Sequence, residues 1–291
     1  MFHPLSVRYF SGIVILMTTR CCRWEPTSYC NAHMPESKAP TLMGILNLTP
    51  DSFSDGGEFQ TLEAALRQVD TMLDEGAGII DIGAESTRPG AHPLPIVEEK
   101  HRLDGILPQV VQRVHRKGGI VSMDTRHAST AAWALSLGVD WINDVSGGED
   151  PEMVRIIAAH DCRYVVMHHL GIAADRDITL PDECDVVQIV YEWLEEKIRR
   201  LVSYGIARER LIADPGIGFG KSAQQSIRLM ENIGRFHALG VELLVGHSRK
   251  SFLSAGSTIE DRDNATVSWT CKLMQEGVHY VRVHNVAGNK K

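Results

Sequence analysis

No apolar run in the 291 residues approaches the roughly 20 that a bilayer-spanning helix needs, so no membrane partner is expected. Positive charge is not in excess either. The formal net charge is −7 and the pI about 6.0, which removes any whole-chain electrostatic case for nucleic acid. Six cysteines (Cys21, Cys22, Cys30, Cys162, Cys184 and Cys271) form no C-x-x-C pair, and reduced thiols in an intracellular, cytoplasmic protein are the expectation. No low-complexity segment or internal repeat is visible. Acid is absent before Glu25, while Arg8, Arg20 and Arg23 flank a short apolar patch at residues 9–17. A transit peptide or secretory signal has this flavour, but the patch is short and no A-x-A cleavage site follows. Residues 1–40 are therefore read as an irregular extension, with an organellar location the alternative if they act as a transit peptide.

The first clearly patterned stretch is M-G-I-L-N-L-T-P-D-S-F-S-D-G-G at 43–57. A short apolar run halts at Asn47 and gives way to hydroxyls, carboxylates and glycines, the pattern of a buried strand with a polar tip. That arrangement recurs. Strands are expected at 42–46, 78–82, 119–124, 140–143, 163–168, 210–214, 241–246 and 278–284. Amphipathic helices are expected at 61–75, 96–116, 126–137, 151–160, 185–204, 222–239 and 261–276. Ser129, Asp150 and Asp263 look like helix caps, and Gly76, Gly138, Gly205, Gly240 and Gly277 like stops. Strict alternation means parallel strands joined by crossover helices, and eight strands favour an α/β fold closed as a (β/α)8 barrel over residues 41–291. The open, doubly wound alternative is disfavoured because no G-x-G-x-x-G follows the first strand. Lys291 stands seven residues beyond His284, so the barrel is read as lacking its eighth helix. A barrel helix buries several large side chains at about 1.5–3 kcal/mol each. The seam between last and first strands thus calls for cover, from residues 9–17 or from a second subunit.

Active sites of such barrels form at the C-terminal strand ends. Those ends carry Asn47, Glu85-Ser86-Thr87-Arg88-Pro89-Gly90, Asp124, Asn143-Asp144, His168, Asp214, Ser248-Arg249-Lys250, Arg282 and His284. Each alone suits a turn or cap; a set spread over all eight strands does not. Arg282 and His284 share a strand face, and with Arg249 and Lys250 they form a cation cluster with only Asn285 beside it and no carboxylate. A dianionic or trianionic ligand fits, because each cation about 4 Å from an anionic oxygen contributes roughly 4 kcal/mol at an effective dielectric of 20. Asp124, Asn143 and Asp214 make an acid and amide half. They suit a heterocycle with adjacent ring N–H and amino groups, or a metal, for which Asn47 and Asp55 are the nearest candidates. Oxygen-only ligands beside a phosphate site favour magnesium over zinc. Neighbouring His168 and His169 point to opposite strand faces and are not read as a zinc pair. In the turn 214–221, glycines let the backbone approach a flat ligand while Phe219 offers an aromatic wall.

Seven motifs carry a resemblance over residues 42–286: the stretch at 43–57, G-A-E-S-T-R-P-G at 83–90, S-M-D-T at 122–125, I-N-D-V-S-G at 142–147, D-P-G-I-G-F-G-K at 214–221, S-R-K-S at 248–251 and R-V-H at 282–284. The sequence closely resembles the dihydropteroate synthases, pterin-binding TIM-barrel enzymes of folate biosynthesis that sulfonamides inhibit. The resemblance implies a transferase condensing 6-hydroxymethyl-7,8-dihydropterin diphosphate with 4-aminobenzoate and releasing pyrophosphate. It assigns the pterin to Asp124, Asn143, Asp214 and Lys250, and the diphosphate to Asn47, Arg282 and His284. Magnesium falls to Asn47 and Asp55, and the aminobenzoate to Thr87, Arg88, Pro89, Phe219, Lys250 and Ser251. Electrostatic stabilisation falls to Arg282, His284 and Lys250, with no protein nucleophile. Relatives usually carry methionine where His169 stands and aspartate where Asn285 stands, and their eighth helix contributes to a homodimer. Two alternatives fit the same fold: a catalytically impaired pterin-binding paralogue and a pterin-dependent methyltransferase domain.

Overall fold

The structure, a computed structural model, describes residues 39–48, 58–85, 94–172, 178–253 and 258–290. Residues 1–38, with most of the expected extension, lie outside the described residues, as do Asp55, Thr87, Arg88 and Pro89.

Eight strands pair in chain order and all in parallel: β1 (Thr41–Asn47), β2 (Ile79–Gly83), β3 (Ile120–Asp124), β4 (Trp141–Asp144), β5 (Arg163–Met167), β6 (Leu211–Asp214), β7 (Glu242–Val245) and β8 (Tyr280–Val283). β8 closes the barrel on β1, with Thr41 opposite Tyr280 and Gly44 opposite Val283. Alternation along each strand sends one set of side chains outward to the helices and the other into the lumen. Met43, Ile79, Ile120, Trp141, Val165, Ile212, Leu244 and Tyr280 form an inner apolar layer, separate from the larger core beneath the helices. Below it, Arg163 stacks on Trp141 and Tyr280 (4.9 and 5.6 Å to the ring centroids) and pairs with Glu242, closing the N-terminal end.

One step of two residues along the strands changes the chemistry of the lumen. Above Ile79, Ile120, Trp141, Ile212 and Tyr280 stand Asp81, Ser122, Asn143, Asp214 and Arg282. The apolar layer is the floor on which the polar layer rests.

The helices are α1 (Glu58–Glu75), α2 (Ile96–Leu103), α3 (Leu107–Arg116), α4 (Ala128–Ser136), α5 (Pro151–Ala159), α6 (Val186–Ser203), α7 (Ala223–Glu231), α8 (Ile259–Gln275) and α9 (Val286–Asn289). They bury faces of helical period, as α6 does with Val187, Val190, Leu194, Ile198 and Leu201. Asp150 caps α5 as expected, accepting from the Glu152 N–H at 2.8 Å. The expected helix 96–116 is two: Gly105, at φ 71°, breaks it so that Leu103, Ile106 and Leu107 can all turn inward. The expected 222–239 helix ends as α7, followed by a 3-10 helix, Ile233–Leu239. The start of α8 is Thr258, in a capping box with Asp261, rather than Asp263. His127, rather than Ser129, precedes α4.

Beyond β8 the expectation of no further helix gives way to a single turn, α9. Asn285 caps it by accepting from the Gly288 N–H at 2.9 Å. The seam has cover of its own. Val286 is fully buried, and a Cβ on Gly44 of β1 would meet Met72 Sδ at 2.8 Å and Val286 Cγ2 at 3.3 Å. The missing side chain at Gly44 lets α1 and α9 seat directly on the strand.

β4 ends in a buried hub. The Asp144 carboxylate accepts from Ser146 N–H (2.8 Å), Ser146 Oγ (2.6 Å), Gly148 N–H (3.0 Å) and the Tyr164 hydroxyl (2.5 Å). It fixes the loop that follows the lumen-facing Asn143. Asp144→Ala is expected to lower stability by about 3–5 kcal/mol, since four donors lose one acceptor, and Tyr164→Phe by about 1–2 kcal/mol. Urea unfolding measures both. Equal losses in the two variants would mean that Asp144 acts only through Tyr164.

Candidate functional site

The polar layer and the strand tips above it make one cluster. Arg282 of β8 donates from Nε to Asp81 Oδ2 at 2.5 Å and from Nη2 to Asp124 Oδ2 at 2.7 Å. Asn143 Nδ2 donates to the same Asp81 oxygen at 3.2 Å. On β6, Asp214 Oδ1 accepts from the Gly216 N–H at 2.7 Å. Gly216 has φ 66°, and a Cβ there would overlap the His168 carbonyl oxygen, so the turn after β6 depends on glycine at this point.

Lys221, buried, holds that turn from behind. Its ammonium donates to Phe219 O (2.8 Å) and His168 O (3.2 Å) and meets His168 Nδ1 at 2.8 Å. Phe219 is thereby set against Val145, Met167 and Ile172, an apolar wall beside the acids. Lys250 lies with Nζ 4.5 Å from the Phe219 ring centroid. His284 and Ser248 lock together: Ser248 Oγ accepts from the His284 backbone N–H at 3.1 Å and meets His284 Nδ1 at 2.9 Å. With the Ser248 hydroxyl donating to Nδ1, a neutral His284 carries its proton on Nε2.

Burial dominates the electrostatics. It pushes the Asp124 carboxyl up, to about 7, against the opposing pull of Arg282. It pushes Asp214 up to about 6, against the Gly216 N–H and the nearby lysines. Lys250 goes the other way, down to about 8, with Asp214 resisting. Burial also holds Lys221 and His168 well below their usual ranges.

Asp124, Asn143, Asp214, Lys250, Phe219 and Arg282 thus belong to one neighbourhood, with His284 just beyond the end of β8. Asn47 is half-buried at the tip of β1, opposite Gly83. Ser251 is exposed at the start of a short 3-10 helix, Ser251–Leu253. His168 is drawn into the wall by Lys221 and by an edge contact with Trp193 at 5.0 Å, and His169 donates from Nε2 to Ser146 O at 3.0 Å. Among the described residues no group of three His, Cys, Asp or Glu is placed to hold a metal.

The expected carboxylate-free cation cluster does not form. Arg249 is turned aside by its positive φ of 57° and pairs bidentately with Asp263 at 2.6 and 2.9 Å, where Asn285 also reaches at 3.4 Å. Arg282 is shared between Asp81 and Asp124. The two halves read from sequence are interleaved. Asp81, Lys221, Val145 and Met167 were not singled out by sequence reasoning. Asp81 had a signal, a carboxylate inside an otherwise apolar strand and in phase with its tip.

A profile of the family described as "Pterin binding enzyme" matches residues 43–284. The chain is 43% identical over 255 residues to a probable bifunctional folylpolyglutamate synthase/dihydropteroate synthase of Halobacterium salinarum, a match covering 87% of this chain but 31% of that protein. This chain therefore spans about a third of that relative's length. Among solved structures, it is similar to dihydropteroate synthase from Anaplasma phagocytophilum with bound 6-hydroxymethylpterin-monophosphate (40% identity, TM-score 0.81, 87% of this chain and 96% of that one). It is also similar to the Xanthomonas albilineans dihydropteroate synthase with 4-aminobenzoic acid (36%, TM-score 0.79, 87% and 90%). With strand order, lumen chemistry and a profile running from β1 to His284 in agreement, this chain belongs to the pterin binding enzyme family.

Proposed function

We infer that the chain acts as a dihydropteroate synthase, a transferase that joins 6-hydroxymethyl-7,8-dihydropterin diphosphate to 4-aminobenzoate and releases pyrophosphate. One observation carries the reading: Asp124, Asn143 and Asp214 stand at the C-terminal ends of β3, β4 and β6, gathered around Arg282, with Lys250 near Asp214 and against the Phe219 ring. Acceptors on one side and an aromatic wall on the other suit a flat ring rich in N–H donors. Residues 41–291 form the pterin-binding domain in this proposal, and residues 1–40 an extension to it.

Asp124, Asn143 and Asp214 accept from the pterin, and Lys250 donates to it. As the C–O bond breaks, positive character grows on the pterin methylene and negative charge on pyrophosphate. Arg282, Lys250 and the Nε2–H of His284 stabilise the departing anion, while the buried acids favour the cationic ring. The amine of 4-aminobenzoate has a free lone pair, so it needs positioning more than a base. Phe219, Lys250 and Ser251, with Thr87, Arg88 and Pro89, border it. The side-chain oxygens of Asn47 and Asp55 are hard donors that fit magnesium. When bound there the ion supplies Lewis-acid charge to the diphosphate. Sulfonamides compete with 4-aminobenzoate, and the family's homodimer is part of the expectation. No helix among the described residues is long and apolar enough to cross a membrane; the cytoplasm is the proposed location, or an organelle if residues 1–40 act as a transit peptide.

Pyrophosphate release, measured with both substrates and magnesium, tests the function. Release is expected to need all three components and to stop on chelation by EDTA. Pterin binding without release would instead favour the impaired paralogue.

Pterin affinity is expected to be bell-shaped in pH. It rises as Asp214 and Asp124 ionise, near 6 and 7, and falls as Lys250 loses its proton near 8. Titration calorimetry across this window checks it, and a flat profile would remove these three groups from the ring site.

The same shifts act on stability with a definite sign. The folded Asp214 titrates near 6 and the unfolded one near 3.8, so its favourable contribution is full below about pH 4 and is lost as pH rises through 6. Asp214→Asn is therefore expected to stabilise the unliganded protein at pH 7.5 by about 1–3 kcal/mol, while pterin affinity falls. Chemical denaturation with and without pterin separates the two effects.

A further inference from the structure

Asp81 lies in the middle of β2, below the strand tips, and is fully buried. All its directed hydrogen bonding runs through one oxygen. Oδ2 accepts from Arg282 Nε at 2.5 Å and from Asn143 Nδ2 at 3.2 Å, while buried Oδ1 has no partner among the described residues. An ionised carboxylate only accepts, so it dictates which end of the Asn143 amide turns toward it. The NH2 must face Asp81, and the carbonyl oxygen is left for whatever occupies the mouth. The same oxygen fixes the plane of the Arg282 guanidinium, whose Nη2 then reaches Asp124.

We propose that Asp81 is a positioning residue for the ring site: it locks Asn143 as an acceptor and aims Arg282 at Asp124, and so sets the donor and acceptor pattern that the pterin must match. The proposal rests on the pterin reading above. Without the Asp81 charge the amide of Asn143 is free to rotate and offer donors to a ring that itself offers donors. Arg282, relieved of one carboxylate, binds Asp124 more completely. Asp81 is also among the charges that raise the Asp124 pKa, so its removal changes the protonation of a residue on the neighbouring strand, two positions nearer the mouth.

The test uses the full chain, with 6-hydroxymethylpterin as the probe, titrated by calorimetry across about pH 5–9, a range of roughly one unit beyond the pKa values involved. Asp81→Asn is expected to weaken binding about tenfold at pH 8. It is also expected to move the acidic limb of the affinity profile to lower pH by about half a unit. In an Asn143→Ala background the same substitution is expected to cost distinctly less, since half of its effect has been removed. Asp81→Ser, smaller and so free of overpacking, is expected to repeat the limb shift should Asp81→Asn fail to fold. Unchanged affinity, or an equal loss at every pH with no movement of the limb, would overturn the proposal and leave Asp81 a structural residue. Failure of the unsubstituted protein to bind 6-hydroxymethylpterin would sink the pterin reading instead, so the two failures are distinguishable.

Discussion

The guanidinium of Arg282, shared between Asp81 and Asp124 inside a closed barrel, is the constraint on which the site depends. Carboxylates in a water-poor lumen are strongly disfavoured unless paired. Arg282 provides one cation for two of them, and the strand register brings it there: β8 pairs with β1, β1 with β2, and β2 with β3, so a side chain on β8 reaches across β1 to β2 and β3. The pairing is incomplete by one charge. Asp124 and Asp214 answer by rising toward neutrality in the unliganded protein, and Lys250 by falling. A ring that donates to both acids while receiving from Lys250 would relieve all three at once. The cost of burying these three charges and the affinity for such a ring have the same origin.

Much of the architecture was legible because alternation of apolar runs with amphipathic stretches admits few topologies. The strand tips were legible too, since polar residues interrupt otherwise apolar runs there. Register was harder. Asp81 sits two residues before the end of β2, and only the barrel shows that this depth is level with Asn143 and Arg282. Within Ser248-Arg249-Lys250 the sequence offered three neighbours and no way to choose among them. A positive φ at Arg249 sends its side chain to Asp263 and leaves Lys250 beside Phe219. Helix continuity misled for a similar reason: 96–116 has helical period on both sides of Gly105, and only the need to bury Leu103, Ile106 and Leu107 together breaks it.

Asn285 and His169, where the resemblance led to other residues being expected, both have local roles. Asn285 caps α9 and touches Asp263, the partner of Arg249, so it supports the turn after β8. His169 bonds the Ser146 carbonyl in the loop anchored by Asp144, and its ring stands 6.4 Å from Trp193. Neither side chain removes a group from the cluster around Arg282, which argues for an intact site over an impaired one.

Interleaving, rather than segregation, of acids and bases also suits the chemistry better than a divided mouth. In a divided site the cations would stabilise the leaving anion and the acids would hold the ring, each acting alone. With Arg282 tied to Asp81 and Asp124, movement of charge from ring to leaving group is felt on both sides of the same hydrogen-bonded set. In the proposed reaction, positive character developing on the pterin methylene would favour ionised Asp124. An ionised Asp124 in turn holds the guanidinium in place. The donors and acceptors are set before the bond breaks, and little need reorient as it does.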